Sequence, residues 1–168
     1  MKKYIFIALL SISLTSWSQS KKAMDYFVKG EQKSEAGNSA GSIAEYNNAL
    51  KEEPFFTAAY LNRALEKIKI KDFAGAMSDA NSAITIEDKN ADAFATRANI
   101  YYKLKDYQNA IKDCTTAINL NPNDYVSYNL RGLSYKNSND LTNACADFSK
   151  SIQLGSKSAA NNKKTFCK

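Results

Sequence analysis

Small and aromatic side chains alternate with polar ones along the chain in a pattern that repeats every 34 residues. The stretch from Ala91 reads ADAFATRANIYYKLKDYQNAIKDCTTAINLNPND, and the stretch from Tyr125 follows it in register without a gap. Counting back by the same period opens further repeats at Thr57 and Ala23, so four contiguous repeats occupy residues 23–158. The fourth position is aromatic in each (Tyr26, Tyr60, Phe94, Tyr128), and the eighth is small (Gly30, Ala64, Ala98, Gly132). The twentieth (Ser42, Ala76, Ala110, Ala144) and the twenty-seventh (Ala49, Ala83, Ala117, Ser151) are small as well. Spacings of four and seven keep each set on one helical face, and small residues there let two helices approach while aromatics fill the space beside them. Leu50, Ile84, Ile118 and Ile152 extend the buried face of the second helix. Between the helices lies a short polar turn (Gly37-Asn38, Lys71-Asp72, Lys105-Asp106, Asn139-Asp140), whose last member is expected to cap the second helix. Pro54 and Pro122 stand where second helices should stop.

A period of 34 residues carrying aromatic, small, aromatic, small and Pro in that order resembles the tetratricopeptide repeat family. The likeness is fullest in the third repeat, with Phe94, Ala98, Tyr101, Ala110, Ala117 and Pro122 together. It thins in the first, where Lys33 and Ser42 replace an aromatic and an alanine, and in the second at Lys67. Asp88 and Ser156 stand where the second and fourth repeats would have the terminal proline. The expected fold is all-α, a right-handed α-solenoid of four helix-turn-helix repeats (23–56, 57–90, 91–124 and 125–158) with a short C-terminal cap at 159–168. The resemblance implies a concave groove lined by first helices at positions 2, 5, 9 and 12. The candidates are Phe27 and Glu31, then Leu61, Leu65 and Ile68, then Asn99 and Tyr102, then Asn129, Leu133 and Lys136. Such a mixed surface suits a partly apolar peptide or helix. The clamp with which some family members grip a terminal carboxylate is not reproduced: Asn62 fits it, but Phe27, Glu31, Asp92 and Thr96 occupy its other positions.

Position 7 is basic in every repeat (Lys29, Arg63, Arg97, Arg131), where the family commonly has leucine, and position 23 is acidic in every repeat (Glu45, Asp79, Asp113, Asp147). A charge on an inward face is costly unless paired. The expectation is therefore a ladder of ion pairs linking paired helices, within a repeat or between neighbours. The rival reading is a row of cations that grips an acidic peptide.

Charge and the N-terminus add a location. Residues 1–18 join Lys2 and Lys3 to an apolar stretch from Tyr4 to Leu14 and then Ser16-Trp17-Ser18, the layout of a secretory signal peptide. The apolar stretch is too short for a membrane span, which takes about 20 residues. Cleavage near Ser18, a linker at 19–22 and a periplasmic or secreted mature chain without a transmembrane segment are expected. The formal net charge of +6 then dissolves into two discarded lysines and a C-terminal lysine tail. Residues 19–149 carry 16 basic and 17 acidic side chains, so no nucleic-acid footprint is expected.

The chain has no histidine, which removes the commonest general base and metal ligand together. No catalytic residue, metal site or cofactor is expected, and no phosphate-cradling glycine loop is present. Of the three cysteines, Cys114 sits at a position that packs inside its own repeat. Cys145 faces whatever packs on the last second helix, and a Cys145–Cys167 disulfide would staple the cap there, as an exported protein allows. The function expected is non-catalytic binding of a protein or peptide as an extracytoplasmic scaffold or assembly factor. The alternative is an accessory protein whose basic tail associates with an anionic envelope surface.

Overall fold

The computed structural model describes residues 21–167, and every regular element among them is an α-helix. Helix α1 covers residues 21–35 and is followed by α2 (Ser39–Glu52) and α3 (Thr57–Lys69). Then come α4 (Phe73–Ile86), α5 (Ala91–Lys103), α6 (Tyr107–Leu120), α7 (Tyr125–Asn137), α8 (Leu141–Gln153) and α9 (Lys157–Phe166). The expected signal peptide lies outside the described residues. Of the expected linker, Lys21 and Lys22 are already helical, because the helix that buries Ala23 extends back through them.

The turn inside each repeat is built by one device used four times. Gly37, Lys71, Lys105 and Asn139 take left-handed φ values of 74°, 65°, 64° and 63°, which ends the first helix. The next residue starts the second: Asn38, Asp72, Asp106 and Asp140 accept from the backbone N–H three residues on, at 2.9, 2.9, 3.2 and 3.1 Å. Each cap satisfies a donor that the helix start would otherwise leave unpaired.

The described residues form two compact units that part between Lys71 and Asp72, at the turn of the second repeat. In the first, α1, α2 and α3 enclose Ala49, Leu50 and Ala59, packed by Tyr26, Phe27, Phe56 and Tyr60. In the second, α5 packs on α6, α6 on α7, α7 on α8 and α8 on α9. Its last core joins Ala144, Phe148 and Ala159 to Leu133, Tyr135, Ile152 and Phe166. Serines at two of the small positions bond backbone rather than lie idle. Ser42 Oγ donates to the Gly30 carbonyl at 2.8 Å, and Ser151 Oγ to that of Tyr125 at 2.7 Å.

Positions 8 and 24 compensate each other in size. Tyr46 and Phe148 are the largest fully buried side chains, and each faces a glycine. A Cβ on Gly30 would stand 2.5 Å from the Tyr46 ring, and one on Gly132 2.8 Å from that of Phe148. Where position 24 is the smaller Ala80 or Cys114, position 8 is Ala64 or Ala98. Close packing leaves no room for a large residue and a methyl together.

The fourth repeat is shorter than expected. Gly155 has φ +101°, open to glycine, and ends α8; Ser156 then caps α9, accepting from the Ala159 N–H at 3.2 Å. The cap helix therefore starts at Lys157, two residues ahead of the boundary that a strict 34-residue period sets.

Candidate functional site

The basic residue at position 7 is a hub. In the third repeat, Arg97 Nε and Nη2 donate to Asp113 Oδ2 and Oδ1 at 2.7 and 3.0 Å, and Nη1 donates to Asn81 at 2.9 Å. In the fourth, Arg131 makes the same fork to Asp147 at 2.8 and 2.8 Å and reaches Thr115 at 3.1 Å. Each guanidinium also lies over the aromatic one turn before it, Arg97 over Phe94 and Arg131 over Tyr128, at 5.6 and 5.5 Å. Hydrogen bonding to the aspartate raises both arginine pKa values against the opposing effect of burial. Each arginine thus ties the second helix of its own repeat to that of the repeat before. The acceptor at position 25 (Asn47 for Arg63 at 2.6 Å, then Asn81 and Thr115) completes the joint; no periodic apolar signal marks it in the sequence. Arg63 and Asp79 belong to different compact units.

The first repeat departs from the ladder. Glu45 pairs with Lys33, while Lys29 lies 5.5 Å over the Tyr26 ring. An ammonium has no planar fork with which to hold the ring and the carboxylate together, so the lysine one turn on takes the acid. Lys33 thereby fills the place where the third and fourth repeats have Tyr101 and Tyr135.

The positions expected to line a groove are used unequally. Leu61 is only 8% exposed and belongs to the interior, and Phe27 is spent on Phe56 and Tyr46, with ring centroids 4.9 and 5.6 Å away. Both are therefore packing residues. Asn99 and Ile68 are half-buried, and the Tyr102 hydroxyl accepts from Asn137 at 3.2 Å. In the fourth repeat the cap helix takes all three candidates. Asn129 accepts from Asn162 at 2.9 Å, Leu133 joins the core beneath α9, and Lys136 lies 4.7 Å over the Phe166 ring. The cap is held by the Cys145–Cys167 disulfide, with Cα atoms 5.8 Å apart. Cys114 is a buried free thiol whose pKa burial pushes far up, so it packs as a small hydrophobe.

Glu31 and Leu65 remain open, and they share a cavity of about 220 Å³ in the first compact unit with Ser34, Glu35, Tyr46 and Asn62. Leu65 is 41% exposed. Ser34 Oγ donates to Glu66 Oε1 at 2.5 Å, and Lys69 Nζ reaches the same oxygen at 2.6 Å and Ser34 at 3.3 Å. Burial pushes the Glu66 carboxyl up, but hydrogen bonds from Lys69, Ser34 and Ser39 outweigh it and hold it below its ordinary value. Hydrogen bonding by Lys33 lowers that of Glu45. Glu35 and Tyr46 escape positional analogy: Glu35 is found only by noticing that it repeats Glu31 one turn later, and Tyr46 reads as core.

Carboxyls depressed in this way stabilise the fold fully above their unfolded-state pKa, and that stability is lost as pH falls through the lower folded-state values. Thermal melts followed by circular dichroism are expected to show a fall below about pH 4.3, the ordinary glutamate value. Glu66→Gln should lower the melting temperature at neutral pH and narrow its gap to wild type as acid is added; a constant gap would remove Glu66 from the account.

The arrangement defines a helical repeat protein with an interaction surface and, among the described residues, no group of His, Cys, Asp and Glu placed to hold a metal. No described helix is long and apolar enough to cross a membrane. Family models described as "Tetratricopeptide repeat" match residues 91–124 and 125–155. The first tetratricopeptide domain of Spaghetti (RPAP3), solved bound to the HSP90 peptide SRMEEVD, is 27% identical, with TM-score 0.67, covering 73% of this chain and 95% of that one. A thermophilic tetratricopeptide protein of Thermus thermophilus superposes with TM-score 0.74 at 17% identity, covering 79% and 74%. The MamA protein does so with TM-score 0.70 at 22% identity, covering 80% and 73%. No curated protein sequence matches the chain. Residues 91–155 match the tetratricopeptide repeat, and the fold is of the all-α tetratricopeptide type. The chain is a protein–protein interaction module; that fold is typically a non-catalytic scaffold, and no enzyme family is indicated.

Proposed function

We propose that the protein is an extracytoplasmic scaffold or assembly factor that binds a peptide or helix of a partner protein along its first helices. The observation that carries this reading is the cavity of the first compact unit, where exposed Leu65 and hydrogen-bonding Ser34 and Asn62 meet on a rigid helical frame. Mixed apolar and polar walls of this kind suit a segment recognised side chain by side chain. The peptide bound by the Spaghetti (RPAP3) domain supports the class of ligand. Export is supported by the layout of residues 1–18 and by a disulfide that persists outside a reducing cytosol.

Cross-linked capture from the native envelope, wild type against Leu65→Glu, tests the binding. A partner captured by wild type and lost with Leu65→Glu is expected, and an unchanged catch overturns the groove reading. Mass spectrometry of the mature chain tests export: its N-terminus should lie near Gln19.

A further inference from the structure

We propose that Lys136, Asn137 and Tyr102, in the second compact unit, form a carboxylate site that takes an acidic group from the bound segment of the partner. The inference rests on the peptide-binding reading above and gives the partner a chemistry.

Tyr102 and Lys136 hold the same repeat position on α5 and α7, and Asn137 joins them. Lys136 Nζ donates to Asn137 Oδ1 at 3.2 Å, and Asn137 Nδ2 donates to the Tyr102 hydroxyl at 3.2 Å. An ammonium can only donate, so the amide turns its oxygen to the lysine and its N–H to the phenol. The Tyr102 oxygen is then an acceptor, and its own hydrogen is left to give. Rings fix both groups: Lys136 lies 4.7 Å over Phe166, and Tyr102 packs on Tyr107 with centroids 5.8 Å apart. Each of these side chains is half-buried, so the two donors are ordered yet within reach of a ligand.

Lys33, Arg97 and Arg131 are half-buried cations as well, and each of them faces a carboxylate. Lys136 faces an amide and a ring, with no carboxylate partner among the described residues. Asp106 and Asp140, just past the ends of α5 and α7, are spent on capping α6 and α8 and on the side chains of Asn109 and Asn143. A cation partly withdrawn from water without a carboxylate is costly, and a stacked ring offsets only part of that cost. The C-terminal carbonyls of α7 keep the lysine charged. A carboxylate from a partner completes the arrangement, with one oxygen toward Lys136 Nζ and the other toward the Tyr102 O–H. A cationic side chain at the same place would be repelled. The cap helix thus covers Asn129 and Leu133, whereas its Phe166 holds Lys136 in place.

The test titrates the isotope-labelled full chain with three dodecapeptides and follows the nuclear magnetic resonance signal of the Asn137 side-chain amide. One peptide is repeated Ala-Glu-Leu and one repeated Ala-Gln-Leu, both blocked at their two ends; the third is Ala-Gln-Leu with a free C-terminal carboxylate. At least one of the two carboxylate peptides is expected to move that signal and to bind at least about fivefold more tightly than the blocked glutamine peptide. Which of them does so tells a side-chain carboxylate from a chain terminus. Lys136→Gln should remove the preference while lowering the melting temperature by no more than about 2 °C, because it ends a contact with a ring and breaks no ion pair. Tyr102→Phe should reduce the preference about twofold, whereas Lys103→Gln, at the exposed lysine next in the chain, leaves it unchanged. The inference is overturned if neither carboxylate peptide moves the Asn137 signal, if the blocked glutamine peptide binds as tightly, if Lys136→Gln keeps the preference, or if Lys103→Gln removes as much of it. Should all three peptides bind alike, the carboxylate site falls and the groove reading stands, since capture with Leu65→Glu decides that reading separately.

Discussion

Asp147→Ala is expected to destabilise the protein by about 3 kcal/mol, because it leaves the Arg131 guanidinium inside the fold without its carboxylate. The Arg131 side chain is 17% exposed and that of Asp147 8%, so solvent cannot take over the lost partner. Two charge-assisted hydrogen bonds of 2.8 Å go at once, while Thr115 and the Tyr128 ring remain and hold the cation in place. Replacing both members, Arg131→Leu with Asp147→Leu, should recover much of the loss, since the cost lies in an unpaired charge more than in the missing bond. The first repeat supplies the contrast. Lys33 is 40% exposed, so Glu45→Ala is expected to cost at most about 1 kcal/mol. Urea unfolding of these three variants, and of Arg131→Leu and Asp147→Leu singly, measures both statements. Equal costs at Asp147 and Glu45, or strict additivity of Arg131 and Asp147, would show that the ladder is not a structural joint.

Removing the disulfide is the second large effect. Cys145→Ser with Cys167→Ser opens a cross-link between residues 22 apart in sequence. Chain-entropy reasoning puts the loss at about 3 kcal/mol for a loop of this size. The loss should concentrate at the C-terminus. Helix α9 has 10 residues, too few to be stable alone, and apart from the bridge it rests on Ala159, the Asn162–Asn129 bond and Phe166 against Phe148. Hydrogen exchange in α9 should rise well above that in α5 and α6, and the end of α8 should follow as Phe148 loses its cover. Unchanged exchange in α9 would mean that its packing alone holds the cap, leaving the disulfide without a structural role.

The two predictions differ in how far the sequence could anticipate them. Positions 7 and 23 announce their charges four times over, and in the third and fourth repeats the structure joins them as forked pairs. That much was legible because pairing within a repeat depends on a fixed spacing that two helices and a short turn reproduce. The choice of Lys33 over Lys29 was not legible, since it turns on the difference between a planar fork and a point charge in one local setting. The groove was legible only in part. Helical position shows which side chains lie on a face; whether Leu61 is covered and Leu65 open depends on what the adjoining helices place against them.

By itself the sequence determined the repeat, its turns and its caps. Each of these is local: a left-handed residue, a side-chain acceptor one place later, and small residues at helical spacing act within one helix pair. It also carried the size compensation between positions 8 and 24, which a glycine facing each large ring makes visible once the partner is known. Only the tertiary structure decided which candidate positions remain available. The cap helix, set in register by Gly155 and Ser156, covers Asn129 and Leu133 of the fourth repeat, and the packing of α1, α2 and α3 leaves the cavity open in the first compact unit. The physical reason is that burial belongs to neighbours brought together by folding, whereas capping and periodicity belong to residues already adjacent in the chain.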